Sequence, residues 1–361
     1  MALLFMDSFD HYLTADILTK WTASGINNAG SSAISIAAVG RHSSNGVRLG
    51  LVNMSSGGLI YINKTVTTSD PTCILGFAYG HGYSGANVIS GWAIAGIRES
   101  AGHQISLCIS PSNTLSVKRG DHQGTLLGST SVALPFGVFT YVELKVLIHP
   151  SAGTVEVRFN GTTVLSLTGQ NTRSTANATW NTIVLGTQPS NTVNTVASSN
   201  GNMDYDDLYI CDSTGAAPWN NFLGDCRVDP RYPTGAGATT GWTPSAGSNF
   251  QNVDDATPNA DTDYNQATGV ATDTFVVQDV PVTGAILYGV QHCMITKKSD
   301  AGAATIAPVV RHSGVDNVGA DLYPGTSYVF GTVAQQVNPG TSAQWTEAGF
   351  NAAEFGYKRT S

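Results

Sequence analysis

The sequence predicts an all-β protein: an antiparallel jelly roll or β-sandwich followed by a second, smaller β-sandwich-like domain. Three observations carry that prediction. Residues 141–167, YVELKVLIHPSAGTVEVRFNGTTVLSL, alternate apolar and polar side chains with a period of two, the pattern of strands with one buried face. Of the 361 residues 40 are Gly and only 12% are charged, against about 25% in an average domain. Glu stands only at Glu99, Glu143, Glu156, Glu347 and Glu354; scarce Glu with much Gly, Thr and β-branched side chain favours short strands over helices. Long crossover helices are missing between the strand-like runs, which argues against an α/β enzyme fold.

The elements follow in order. GVRLGLVN (46–53), GLIYINKTV (58–66), CILGFAYGHG (73–82), GWAIAGIRE (91–99), QISLCIS (104–110) and TLSVKRG (114–120) read as strands separated by Gly, Asn, Ser and Pro. In the meander, Val142, Leu144, Val146 and Ile148 share one face, and Val155, Val157 and Phe159 continue it. Asn160-Gly161 is a type I′ hairpin turn, because both central residues of such a turn need positive φ. WNTIVLGT (180–187) and NMDYDDLYICD (202–212) close the block. About ten strands at eight- to twelve-residue spacing make residues 1–212 a jelly roll.

Residues 213–228, rich in Gly, Pro and Asn, read as a linker, and 229–361 as the second β domain. After a polar stretch over 242–272, strands are expected within 273–280, 284–299, 305–314 and 325–334. SAQWTEAGFNAAEF (342–355) is the one convincing helical turn, with Trp345, Phe350 and Phe355 on its apolar side, and EFGYKRT is expected as a closing strand.

Composition excludes several classes. With a net charge of −8 and no Lys/Arg cluster longer than a dipeptide, nucleic acid is not an expected partner. The start, MALLFMDSFD, lacks a basic region, and its apolar run is too short for a signal peptide or a membrane span. Cys73, Cys108, Cys211, Cys226 and Cys293 contain no CxxC pair and read as free thiols.

The early DSFDHY with Trp21, the meander and the late MDYDDLYI strand resemble the concanavalin A-like and laminin G-like jelly rolls. That resemblance implies that a first strand near the N-terminus pairs with the closing strand. Asp206–Asp212, Phe222–Val228, Trp242–Asp255 and Gln344–Gly356 resemble a module of tailed-bacteriophage structural proteins. It implies a virion component assembled in the host cytoplasm: a surface-exposed head decoration or fibre, a collar or a tail-associated protein. Its partners would be other virion proteins and sister copies in a homo-oligomer, with a trimer favoured on the class of protein alone. The alternative is a receptor-binding tail fibre or spike that recognises host-surface glycans.

Candidate sites are few. The ExDxxE strand of glucanases is absent, and Glu143 and Glu156 stand alone on alternating strands, expected on a solvated face. With no carboxylate pair, the chain is expected not to be an enzyme. The eight histidines show neither HExxH nor zinc spacing, and no cofactor is expected. Tyr79, Tyr83 and Trp92, in a Gly-rich region, are the candidate carbohydrate-stacking residues, set against the alternative that they are core aromatics. Asp204 and Asp206, sharing a strand face with Asp207 opposed, are the candidate Ca²⁺ ligands, set against a solvated strand end. Asp254, Asp255, Asp261 and Asp263 form a second acidic patch that reads as a solvated loop or subunit contact.

Overall fold

The computed structural model describes residues 2–27, 33–54, 59–83, 92–187 and 199–361. The chain is all-β, as its alternation predicts, and divides into two compact units: Met1–Phe9 with Trp21–Val228, and Asp10–Lys20 with Asp229–Ser361.

In the first unit the strands are β1 (Leu3–Asp7), β2 (Ala23–Asn27), β3 (Ala33–Ala37), β4 (Gly46–Met54) and β5 (Leu59–Thr65). Then come β6 (Thr72–Tyr83), β7 (Ala93–Glu99), β8 (Gly102–Ile109), β9 (Thr114–Arg119) and β10 (Thr125–Ala133). The last are β11 (Thr140–Leu147), β12 (Gly153–Phe159), β13 (Thr162–Gln170), β14 (Thr182–Thr187) and β15 (Ser199–Asp212). They form two antiparallel sheets. One runs β13-β12-β11-β6-β15-β4-β3, with β1 also on β15; the other runs β10-β9-β8-β7-β14-β5-β2. The first strand does pair with the closing one, with Leu3 opposite Cys211 and Asp7 opposite Leu208.

The two sheets stack as a sandwich. Val142, Leu144, Val146 and Ile148 are all buried in the core, as are Phe77, Tyr79 and Tyr205 from the neighbouring strands. The Tyr205 hydroxyl crosses to the other sheet and donates to the Ile94 carbonyl at 2.8 Å. Trp21 stacks on Phe9 at 5.7 Å and donates its indole N–H to Asp7 at 2.9 Å. Asn160 and Gly161 have φ of 47° and 78°, the left-handed pair a type I′ turn requires.

Residues 213–228, expected as a linker, instead pack on the outer face of the first sheet. Trp219, Phe222 and Leu223 are buried there. Arg158 lies 4.2 Å from the Phe222 ring centre, and Lys145 donates to the Asn220 carbonyl. This cover corrects the reading of Glu143. Its side chain is fully buried, not solvated, because the segment lies across it. Glu156 keeps part of its exposure and pairs with Arg158 at 2.8 Å.

The second unit contains β16 (Pro233–Thr240), β17 (Thr243–Pro244), β18 (Asn265–Gln266), β19 (Ala271–Val277), β20 (Val290–Thr296) and β21 (Ile306–His312). β22 (Val315–Val318), β23 (Val329–Gln335), β24 (Val337–Asn338), β25 (Ala343–Gln344) and β26 (Glu354–Arg359) complete it. Its main sheet runs β16-β19-β26-β21-β22. The expected helix is confined to Glu347–Asn351, capped by the Thr346 hydroxyl, which accepts from the Gly349 N–H at 3.0 Å. Trp345, Phe350 and Phe355 nevertheless converge in one core with Val310 and Ala353, although Phe355 belongs to β26. Residues 10–20 belong to this unit: the rings of His11 and Tyr12 lie 5.8 and 5.9 Å from that of Phe330.

Candidate functional site

The residues singled out in the sequence do not assemble into a site. Tyr79 and Trp92 are fully buried, so neither has a face to offer a sugar ring. Tyr79 packs against Tyr205 at 5.3 Å instead, because the alternation of β6 turns it inward. The side chain of Tyr83 lies outside the described residues.

Asp204 and Asp206 are buried and surrounded by donors. Arg48 grips Asp204 through Nε at 2.7 Å and Nη2 at 2.8 Å, and Asn202 donates to it at 2.7 Å. Asp206 accepts from the Arg41 N–H at 2.7 Å, the Ser44 hydroxyl at 3.0 Å and the Asp207 N–H at 2.8 Å. Carboxylate oxygens so occupied are not free to converge on a cation. Among the described residues no group of three His, Cys, Asp or Glu is placed to hold a metal. The second acidic patch is tied internally: Asn259 donates to Asp255 and Asp263, and Lys297 pairs with Asp261 at 2.6 Å.

Asp206 and Asp207 have a structural task. The register of β15 slips between Asp206 and Tyr209, with Asp207 at φ 51°. The bulge aims both carboxylates at Arg41 and the 213–228 segment. Arg41 pairs with Asp207 at 2.8 Å and Asp225 at 2.6 Å, and Asp207 also accepts from the Val228 N–H at 2.7 Å. Burial, then the neighbouring Asp207 charge, push the Asp206 carboxyl up to about 8. Burial also raises Asp207.

A different feature is an open surface cleft. An open cleft of about 420 Å³ lies at one end of β8 and β9, lined by His103, Arg119, Asp121, Ser174 and Thr175 with intervening glycines. Buried side chains of β8 build it. The Gln104 amide donates to Thr175 Oγ1 at 2.9 Å and to the carbonyls of Asn177 and Thr179 at 2.8 and 3.0 Å. Its oxygen accepts from the Ser174 N–H at 2.8 Å. One side chain thus fixes the wall formed by residues 174–179. Ser106, on the same face of β8, fixes the opposite wall by donating to the Gly120 carbonyl at 2.8 Å. Gly120 is left-handed at φ 93°, and a Cβ there would stand 3.2 Å from Ser174 Oγ, narrowing the cleft. The 121–124 turn closes on itself through the Gly124 N–H to the Asp121 carbonyl at 2.9 Å.

Arg119 donates to Thr125 Oγ1 at 3.3 Å and forms no ion pair among the described residues. Asp121 accepts from the Gln123 N–H at 2.9 Å through one carboxylate oxygen. Arg119 and Asp121 both line the cleft. Sequence reasoning missed it because its residues come from two distant segments, 101–125 and 174–175. Only the Gly and Ser/Thr content of those segments hinted at turns.

No family model matches the chain, and no curated protein matches it. It is similar to solved jelly-roll structures. The cellulose-induced protein Cip1 is 16% identical, with 52% of this chain and 91% of that one covered and a TM-score of 0.37. Alginate lyase Aly36B is 14% identical, with 58% and 96% covered and a TM-score of 0.38. Alginate lyase vAL-1 from Chlorella virus is 11% identical, with 53% and 93% covered and a TM-score of 0.38. The solved structures in this group are mainly alginate lyases, which corrects the expectation that the chain is not an enzyme.

Proposed function

We propose that the chain is a surface-exposed structural component of a tailed-phage virion that works as a homo-oligomer. The observation that carries this reading is the number of large apolar side chains that the second unit leaves exposed. Val270, Val282, Ile286, Val315 and Tyr323 are each more than half exposed. Large apolar side chains left in water forgo about 25 cal/mol for every Å² they would bury, and a unit that keeps several outside is suited to a partner. The occupant is a second copy of the chain, since most oligomers are symmetric assemblies of one sequence. The resemblance of Phe222–Val228, Trp242–Asp255 and Gln344–Gly356 to phage structural modules supports the virion setting. A trimer is favoured on the class of protein alone, with other virion proteins as further partners. Sedimentation of the purified chain at micromolar concentration tests the assembly: a defined oligomer is expected, and a stable monomer counts against it. Immunogold labelling of particles tests the location, whether head decoration, collar or tail.

The cleft favours a second reading, recognition of host-surface glycan by a tail fibre or spike. Its volume falls within the range of about 300–1,000 Å³ typical of small-molecule sites, and its walls are set before a ligand arrives. Competition of infection by free protein, with pull-down of host envelope polysaccharide, tests this reading. The length of the recovered polysaccharide, read by size exclusion in the same samples, reports whether the chain also cleaves what it binds.

A further inference from the structure

We propose that the β20–β23 ribbon of the second unit is an acid-released latch, in which protonation of His292 lifts the ribbon from the aromatic core beneath it. This device goes beyond assembly and glycan recognition and depends on neither.

Strand pairing makes the ribbon separable. β20 and β23 pair with each other, from Val290 opposite Gln335 to Thr296 opposite Val329, and with no other strand among the described residues. The main sheet, β16-β19-β26-β21-β22, is complete without them. Ribbon and sheet share no ladder, so side-chain packing joins them. Alternation puts Val290, His292 and Met294 on one face with Val333 and Gln335. His292 and Met294 are buried, and the His292 ring lies 5.6 Å from that of Phe355 in β26. Phe355 shares its core with Trp345, Phe350 and Val310, and Val290 packs against the same group. The Trp345 indole donates to the Gln335 carbonyl at 3.1 Å.

His292 is the weak point of that packing. Its Nε2 and the Gln335 Oε1 are buried, and neither has a hydrogen-bond partner among the described residues. A neutral imidazole is tolerated there, whereas an imidazolium is a buried charge without a counter-ion, which is costly. The titratable groups around the ribbon are engaged elsewhere. On the sheet face that carries Phe355 and Val310, the register places Asp273, Tyr357, Arg359 and His312. Asp273 accepts from the Gly241 and Trp242 N–H groups and the Asn249 amide. The Tyr357 hydroxyl accepts from Asn265, and Arg359 donates to the Ala267 carbonyl. His312 lies 3.3 Å from the Asn338 amide, and Glu347 accepts from the Gly284 N–H. On the ribbon's other face His11 and Tyr12 meet Phe330, with the Lys20 ammonium 2.8 Å from His11. Asp16 accepts there from the Leu13 N–H, and Asp10 and Arg231 act on Tyr232. Among the described residues none supplies His292 with a negative charge, and burial pushes its imidazole down to about 4. The nearby Gln335 amide opposes that shift, but its oxygen does not reach hydrogen-bond geometry with the ring.

An exposed His keeps its proton up to about pH 6.5, and the packed His292 only up to about 4. The closed ribbon is therefore fully favoured above about pH 6.5, and that advantage is lost as pH falls toward about 4. Opening takes up one proton across this window, so the open-to-closed ratio rises about tenfold per pH unit.

Amide hydrogen exchange of the full chain, followed by NMR across this window, is the test. Opening constants of the Val290–Thr296 and Val329–Gln335 amides should rise about tenfold for each pH unit below about 6.5, a slope that β19 and β21 do not share. The His292 ring should titrate near about 4. His292→Gln, which cannot charge, should flatten the ribbon's pH dependence, and His312→Gln should leave it in place. Ribbon opening that is flat with pH, or a slope that survives His292→Gln, overturns the proposal. Main-sheet amides that open with the same slope overturn it too, because the unit then yields as a whole. Should His292→Gln fail to fold, the ring titration of the unmodified chain decides. A value near about 6.5 overturns the proposal, and one near about 4 with the slope confined to the ribbon supports it.

Discussion

Gly161 isolates a backbone effect from a packing one. Its φ is 78°, and a Cβ added there meets no atom within 4 Å. Gly161→Ala should therefore cost only the left-handed strain, about 1 kcal/mol, read as a lower denaturation midpoint with an unchanged slope. A loss several times larger would mean the turn is not type I′. Glu143 is the opposite case, a buried carboxyl group held by contacts to one of its oxygens. Its Oε1 accepts from the Tyr209 hydroxyl at 2.6 Å and the Gly224 N–H at 2.8 Å. Glu143→Ala strands both donors and should cost about 1–3 kcal/mol. It should also make residues 219–228 more sensitive to limited proteolysis, whereas Glu143→Gln, which keeps an acceptor oxygen, should lose less. Equal proteolysis in wild type and Glu143→Ala would separate the glutamate from the covering segment.

At the scale of elements, the bulged end of β15 and residues 213–228 act as one clasp. Arg41 sits at its centre, joined to Asp207, Asp225 and the Cys226 carbonyl. Burial alone would lower Arg41, but its bonds to Asp225 and Asp207 raise it, so it stays charged. Asp206 titrates within the clasp. The folded chain holds this proton up to about pH 8, whereas an unfolded Asp loses it near 4. Its contribution to stability is thus full below the unfolded value and is lost as pH rises through about 8. Between about pH 4 and about pH 8 wild type should lose more stability than Asp206→Asn, which cannot ionise. Parallel profiles of denaturation midpoint against pH would show that Asp206 is already ionised when folded.

For the whole molecule, assembly is the property most exposed to test. Ile286→Asp and Val270→Asp place charges on side chains that are 69% and 67% exposed, so folding should survive while self-association weakens. The readout is sedimentation with a circular dichroism control; an unchanged oligomer would place the interface elsewhere. The described residues contain no helix long and apolar enough to cross a membrane.

Much of the fold was legible from local pattern. The meander, its Asn-Gly turn and the buried run Val142, Leu144, Val146 and Ile148 are set by period-two burial and turn stereochemistry, which neighbouring residues dictate. Strands β10 and β16 were missed, because their exposed, Gly-containing runs carry weak alternation. The sites were not legible. Tyr79 and Trp92 point inward, Glu143 lies under a segment that reads as a linker, and Arg119 and Ser174 line one cleft from segments far apart in the chain. The sequence by itself determined the sandwich, since apolar alternation must be buried between sheets. Tertiary structure alone decided which polar groups face water and which face one another, because that depends on strand order and on what covers each sheet.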